Sequence, residues 1–302
     1  MHTIAWRAMV PVVLVALILS AGCHAIPQTP HAAKLDDPGM LATSAPLYWH
    51  NHRLPVLPAG AKIALVEFSV EYVEEKLESP TKAQPVIFGT EYGITGLALT
   101  AVGVSKTRLE LDGKAMPLLP DEMHDIFVRE LESYGLTVLP DADVRKCASY
   151  ALFTCWKPGS AYLLQRLDFT GSDTGNAKQL PVYPSEGHIA VKGARNMYVK
   201  DAEAALLKEC GADAVVRARF RVGLYKGRAA VERGSKVFVT TASGSGELRA
   251  VRSLVSESAI AEKGSFKLFR GTVYSPEWDR FRSAILETFP PYASMAVGVL
   301  RQ

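Results

Sequence analysis

Apolar residues along the chain fall into three patterns: unbroken runs, strict alternation, and recurrence every three or four positions. Lys62–Val70 (KIALVEFSV) is a run rich in β-branched residues that opens after Pro58-Ala59-Gly60, and it predicts a buried strand. Met123, Ile126, Phe127, Leu131 and Tyr134 recur at helical spacing. They predict a helix from Pro120, with Asp121 and Glu122 in its first turn and Gly135 as its stop. Leu136–Leu139 then reads as a short strand and Asp141–Leu152 as a second helix.

The last third is the most regular. Val199–Cys210 predicts a helix closed by Gly211, and Asp213–Leu224 (DAVVRARFRVGL) alternates as a half-buried strand does. Ala229–Thr241 and Gly246–Leu254 alternate likewise and are joined through Ala242–Ser245, which predicts an antiparallel hairpin. A terminal helix is expected from Pro276, capped by Ser275, to Pro290, followed by a short packed apolar segment, Ala293–Leu300. This succession of elements predicts an α/β (α+β) fold: a mixed sheet flanked by helices, with a C-terminal antiparallel hairpin and a terminal helix.

The N-terminal third is organised differently. Met9–Leu19 is eleven consecutive non-polar residues, the length of a signal-peptide core and too short to span a bilayer as a helix, and it is followed by Ser20-Ala21-Gly22-Cys23. Small residues before a cysteine resemble the lipobox of lipoprotein signal peptidase, although Ser20 stands where leucine is commonest. Residues 1–22 are therefore expected to be a lipoprotein signal peptide and Cys23 the lipidation site, the alternative being ordinary secretory cleavage near Ala21 or Ala25. His24, not Asp, follows the cysteine, so by the usual bacterial sorting rule the anchor favours the outer membrane, facing the periplasm. Residues 23–60, rich in proline and without an apolar period, read as a tether.

Residues 61–302 are then expected to form a single periplasmic domain carrying a glycine-rich insertion at 81–116. The core of that insertion, Pro85–Ser105, is almost free of charge, with glycines at 89, 93, 96 and 103. Such spacing suits either close internal packing or a surface that meets a partner or a membrane.

Composition narrows the function. With 48% hydrophobic and 22% charged residues, the 302-residue chain is expected to fold, and a formal charge of +3 without basic clusters argues against nucleic-acid binding. No catalytic, cofactor or metal motif is expected. Gly244-Ser245-Gly246 lies between two strands and lacks the following helix of a phosphate loop. His50 and His52 have strand spacing but no third ligand nearby, and His124 and His188, alone within residues 61–302, lack flanking patterns of a Ser-His-Asp site. With Cys23 assigned to lipid, an oxidising compartment would allow a Cys147–Cys155 disulfide if the chain reverses between them; three free thiols is the alternative.

The KIALVEF strand, the helix leading into Gly135–Leu139 (GLTVL), Leu207–Val216 (LKECGADAVV) and the hairpin after it resemble the curli-secretion lipoprotein family. The likeness covers roughly residues 61–70, 118–145 and 199–290. It implies a ring-forming outer-membrane pore, for which the 85–105 segment or the Gly227–Leu254 hairpin would have to supply membrane strands.

The expected function is a non-catalytic, membrane-anchored module for envelope assembly or protein interaction. The alternatives are a secretion-pore subunit and, third, a periplasmic hydrolase. Expected partners are the membrane, through the lipid, and other envelope proteins or further copies of the chain.

Overall fold

The computed structural model describes residues 38–78, 105–161, 177–262, 264–266 and 271–301. The signal segment, Cys23 and the core of the glycine-rich insertion lie outside the described residues.

The expected fold class is the observed one. Nine strands of the described residues form one mixed sheet: β1 (Trp49–His52), β2 (Lys62–Tyr72), β3 (Thr137–Val138), β4 (Ser160–Ala161), β5 (Pro181–Pro184), β6 (Ala214–Tyr225), β7 (Arg228–Thr241), β8 (Gly244–Ala250) and β9 (Leu254–Val255). Their order is β1-β8-β7-β6-β2-β5-β4, with β9 beside β7 and β3 beside β2. The central pair, β2 and β6, is parallel; β6, β7, β8 and β1 continue it antiparallel, and β7 and β8 are the expected hairpin. A second sheet of five short strands includes Glu75–Glu78 and Ser105–Leu109, which pair antiparallel at the base of the insertion with Glu78 opposite Ser105.

Helices cover both faces. On one, α2 (Leu119–Ser133) and α5 (Trp278–Leu300) bury Met123, Phe127, Leu131, Phe281, Ile285 and Phe289 against Phe68, Val70, Phe220 and Val222. On the other, α3 (Asp141–Lys146) and α4 (Val199–Cys210) bury Val144, Ala202 and Leu206 against Ala64, Val66 and Val215. Gly211 ends α4 in the left-handed region at φ 63°, the conformation a glycine C-cap adopts at least cost.

Three expectations are corrected. Residues 38–60 are not simply a tether. Pro38–Tyr48 forms helix α1, β1 pairs with β8, and Ala45, Tyr48, Trp49 and Leu57 are buried. The Trp49 ring meets Phe220 edge-on at 6.3 Å and packs on Tyr292 at 4.9 Å, so this stretch is held by its aromatic pair in spite of its prolines. The described fold therefore begins well before Ala61.

The terminal helix does not stop at Pro290 but runs through Pro290 and Pro291 to Leu300. Two interior prolines remove two ladder hydrogen bonds and cost about 3 kcal/mol or more each. Against this stands the burial of Phe289, Tyr292, Ala293, Met295, Ala296, Val297 and Leu300, with larger side chains worth about 1.5–3 kcal/mol apiece. Burial wins.

Third, the disulfide joins Cys147 to Cys210, with Cα atoms 6.2 Å apart, and Cys155 is an exposed free thiol. The expected helix 141–152 is broken at Cys147, whose backbone is extended (φ −65°, ψ 126°) between α3 and a 3-10 turn, Ala148–Leu152. That break brings Cys147 to the C-terminus of α4.

The alternation of β6 has an outcome its pattern did not predict. Val216, Ala218, Phe220 and Val222 enter the core under α2 and α5, while Arg217, Arg219 and Arg221 point beneath the other layer. There Arg219 bonds Glu67 at 2.6 Å, Arg221 bonds Glu71 at 2.7 Å and Arg217 bonds Glu203 of α4 at 2.5 Å. Both faces of this strand are covered, its polar face by an ion-pair ladder.

Candidate functional site

The edge of β2 opposite β6 carries two short partners with a gap between them. β3 pairs with Lys62 and Ile63, and β5 pairs with Ser69–Glu71. Beside that gap three side chains from separate elements converge: His124 from α2, Asp141 from the first turn of α3, and His188 from the turn after β5. One ligand atom from each lies within 4.8 Å of the other two, the sole group of this kind among the described residues.

The turn bearing His188 is fixed by backbone contacts. Ser185 N–H donates to Phe68 O at 3.0 Å, Glu186 N–H to Asp121 Oδ1 at 2.6 Å, and His188 N–H to Ser185 O at 3.1 Å. Gly187 takes φ 81°, where a side chain would be strained and would also lie against Asp141 and Arg145. His124 stands one helical turn from Asp121 and packs its ring edge-on to Phe68 at 5.5 Å and tilted on His188 at 4.6 Å.

The hydrogen bonds of each imidazole assign its proton. His188 Nδ1 is 3.2 Å from Glu186 O, which can only accept, and 3.0 Å from Ser185 Oγ, whose own hydroxyl reaches Phe68 O at 3.4 Å. Nδ1 of His188 therefore carries hydrogen. His124 Nδ1 donates to the Asp125 carboxylate at 3.2 Å. In both rings Nε2 is buried and without a hydrogen-bond partner. His188 Nε2 is 3.3 Å from Asp141 Oδ1, but the alignment does not make a hydrogen bond.

Burial, and next the neighbouring His188, lower the pKa of His124 and keep its ring neutral. Burial raises the Asp141 carboxyl, but the adjoining His188 ring, first, and Arg145 outweigh it and hold the group below the usual carboxylate range. A neutral His124 ring and an ionised Asp141 carboxylate are forms that bind cations.

The sequence marks both histidines as candidates but neither Asp141 nor Ser185, and its motifs predict no metal site. No local signal marks the group, because its members come from three elements far apart in the chain. His50 and His52 lie exposed on β1 and gain no third ligand among the described residues. Gly244–Gly246 opens β8 of the hairpin. A Cβ on Gly246 would collide with Arg53 O, so that glycine serves the close approach of the 53–54 backbone. A cavity of about 220 Å³ between α1 and α5, lined by Leu41, Ala45, Tyr134, Met295 and Gly298, shares no residue with the histidine group.

Among the described residues no helix is long and apolar enough to cross a membrane. No family model, no curated protein and no solved structure matches the chain.

Proposed function

We propose that the chain is a lipid-anchored lipoprotein of the bacterial cell envelope whose extracytoplasmic domain serves, without catalysis, in envelope assembly or protein interaction. The observation that carries this reading is the Cys147–Cys210 disulfide, since such bonds form and persist in oxidising compartments such as the periplasm. It agrees with the export signal at residues 1–22. On this reading diacylglycerol on the Cys23 thiol and a further acyl chain on its amine make a stable anchor, and His24 directs the protein to the outer membrane.

Against a hydrolase stands the burial of Ser185, the hydroxyl within reach of His188. Its residue is 3% exposed and its oxygen is engaged by Phe68 O and His188, so an acyl substrate has no approach to it.

Mass spectrometry of the mature protein tests the anchor. The expected N-terminus is acylated Cys23, and Cys23→Ala should leave an unprocessed precursor. An unmodified N-terminus, or cleavage near Ala25, overturns the reading. Two further outcomes would replace it. A large ring on a sizing column in detergent would favour the pore subunit implied by the curli-secretion resemblance, and esterase activity abolished by Ser185→Ala would favour a hydrolase.

A further inference from the structure

We propose that His124, Asp141 and His188 form a binding site for one divalent transition-metal ion of the zinc class. Two imidazole nitrogens and a carboxylate oxygen already face one another within 4.8 Å. A tetrahedral zinc with Zn–N of about 2.0–2.1 Å needs its ligand atoms roughly 3.4 Å apart, so the group closes on an ion by side-chain movements of about an ångström.

The decisive feature is the pair of buried, unpartnered ring nitrogens. The side chain of His188 is 1% exposed and that of His124 16%, yet Nε2 of both rings is buried with no hydrogen-bond partner. Burying an unpaired polar atom costs free energy, and here two such ring nitrogens are buried beside a carboxylate. A cation removes all three costs together.

The surroundings are those of a metal site. Each imidazole donates its Nδ1 hydrogen outward, His124 to Asp125 and His188 to Glu186 O and Ser185 Oγ, which fixes the ring and leaves Nε2 as ligand. Asp141, its side chain 29% exposed, forms the rim and the entry path. Two nitrogens in a set of three disfavour Mg²⁺ and Ca²⁺, which take oxygen, and suit zinc and its first-row neighbours. Three protein ligands leave a fourth position for water or for a group from a partner. An ion here would clamp α2, α3 and the turn after β5 across the gap in the edge of β2.

The test uses the full chain, extracted in detergent and stripped with EDTA, without reducing agent. Isothermal titration with Zn²⁺ should give one site, and a hundredfold excess over Kd should raise Tm by about 5 °C or more. Mg²⁺ should do neither. Asp141→Asn and His188→Gln should each weaken Zn²⁺ binding at least tenfold, and Asp125→Ala roughly tenfold through the outer hydrogen bond. The double variant His50→Ala/His52→Ala should bind as the wild type does. If His188→Gln fails to fold, Asp141→Asn at the rim still decides. The proposal is overturned if wild-type protein shows no saturable Zn²⁺ site, if Asp141→Asn binds as tightly as wild type, or if loss of His50 and His52 abolishes binding.

Discussion

Cys147 is bonded to Cys210 across 63 residues, and the neighbouring Glu209 accepts the backbone N–H groups of Ala148, at 2.5 Å, and Ser149, at 2.8 Å. The disulfide and the carboxylate thus fasten the same joint, the C-terminus of α4 to the start of the 3-10 turn after α3.

Removing the covalent half of that joint should be expensive. A bridge closing a loop this long restricts the unfolded chain by about 4 kcal/mol on the chain-entropy model. Cys210→Ser, or reduction with dithiothreitol, is expected to lower urea stability by about 2–4 kcal/mol, while Cys155→Ser changes it by less than about 0.5 kcal/mol. Equilibrium unfolding checks this. Maleimide should label Cys155 in the native domain and leave Cys147 and Cys210 untouched until reduction.

The carboxylate half predicts a pH dependence. Hydrogen bonds from Ser149, first, and Ala148 hold the Glu209 carboxyl below its ordinary range. A group whose folded pKa is depressed stabilises fully above its unfolded pKa, about 4.3, and loses that contribution as pH falls through the folded value. Glu209→Gln should therefore be less stable than wild type at pH 7, and the gap should close as pH falls below about 4. Urea midpoints of both proteins across that range measure it; a gap that persists undiminished into acid would refute the assignment.

Arg219 touches two buried carboxylates, bonding Glu67 at 2.6 Å with Glu71 at 3.4 Å, and Glu67 is fully buried. Arg219→Ala removes its guanidinium and should cost about 3–5 kcal/mol, the range for breaking one side of a buried pair. A matched double variant, Glu67→Met/Arg219→Met, should recover much of that loss because both desolvation costs go together. Denaturant titration of the three proteins forms the comparison.

Trp49 is 2% exposed between Phe220 and Tyr292, although it belongs to the stretch whose composition reads as a tether. Trp49→Ala should destabilise the domain by about 3–5 kcal/mol. A tether residue would cost less than about 0.5 kcal/mol, so the unfolding midpoint separates the two readings.

Much of the fold was legible because it is written in local spacing. The three- and four-residue recurrence from Met123 to Tyr134, the glycine after Cys210 and the alternation from Ala214 to Leu224 each place an element within a residue or two. Where burial across layers competes with local preference, the pattern misleads. Pro290 and Pro291 ordinarily end a helix, and here the apolar face beyond them carries it on to Leu300.

By itself, then, the sequence determined the helices α2 and α4, the strands β2, β6 and β7, the hairpin that β7 opens and the class of fold, because periodicity and turn residues act over a few positions; the second strand of that hairpin, expected over 246–254, is Gly244–Ala250. Only the tertiary structure decided that Cys210, not Cys155, pairs with Cys147, that the arginines of β6 face buried glutamates, and that His124, Asp141 and His188 meet. These are relations between side chains far apart in sequence, the arginine–glutamate pairs set by the register of β2 against β6 and the others by how helices and turns pack, and no short-range pattern encodes them.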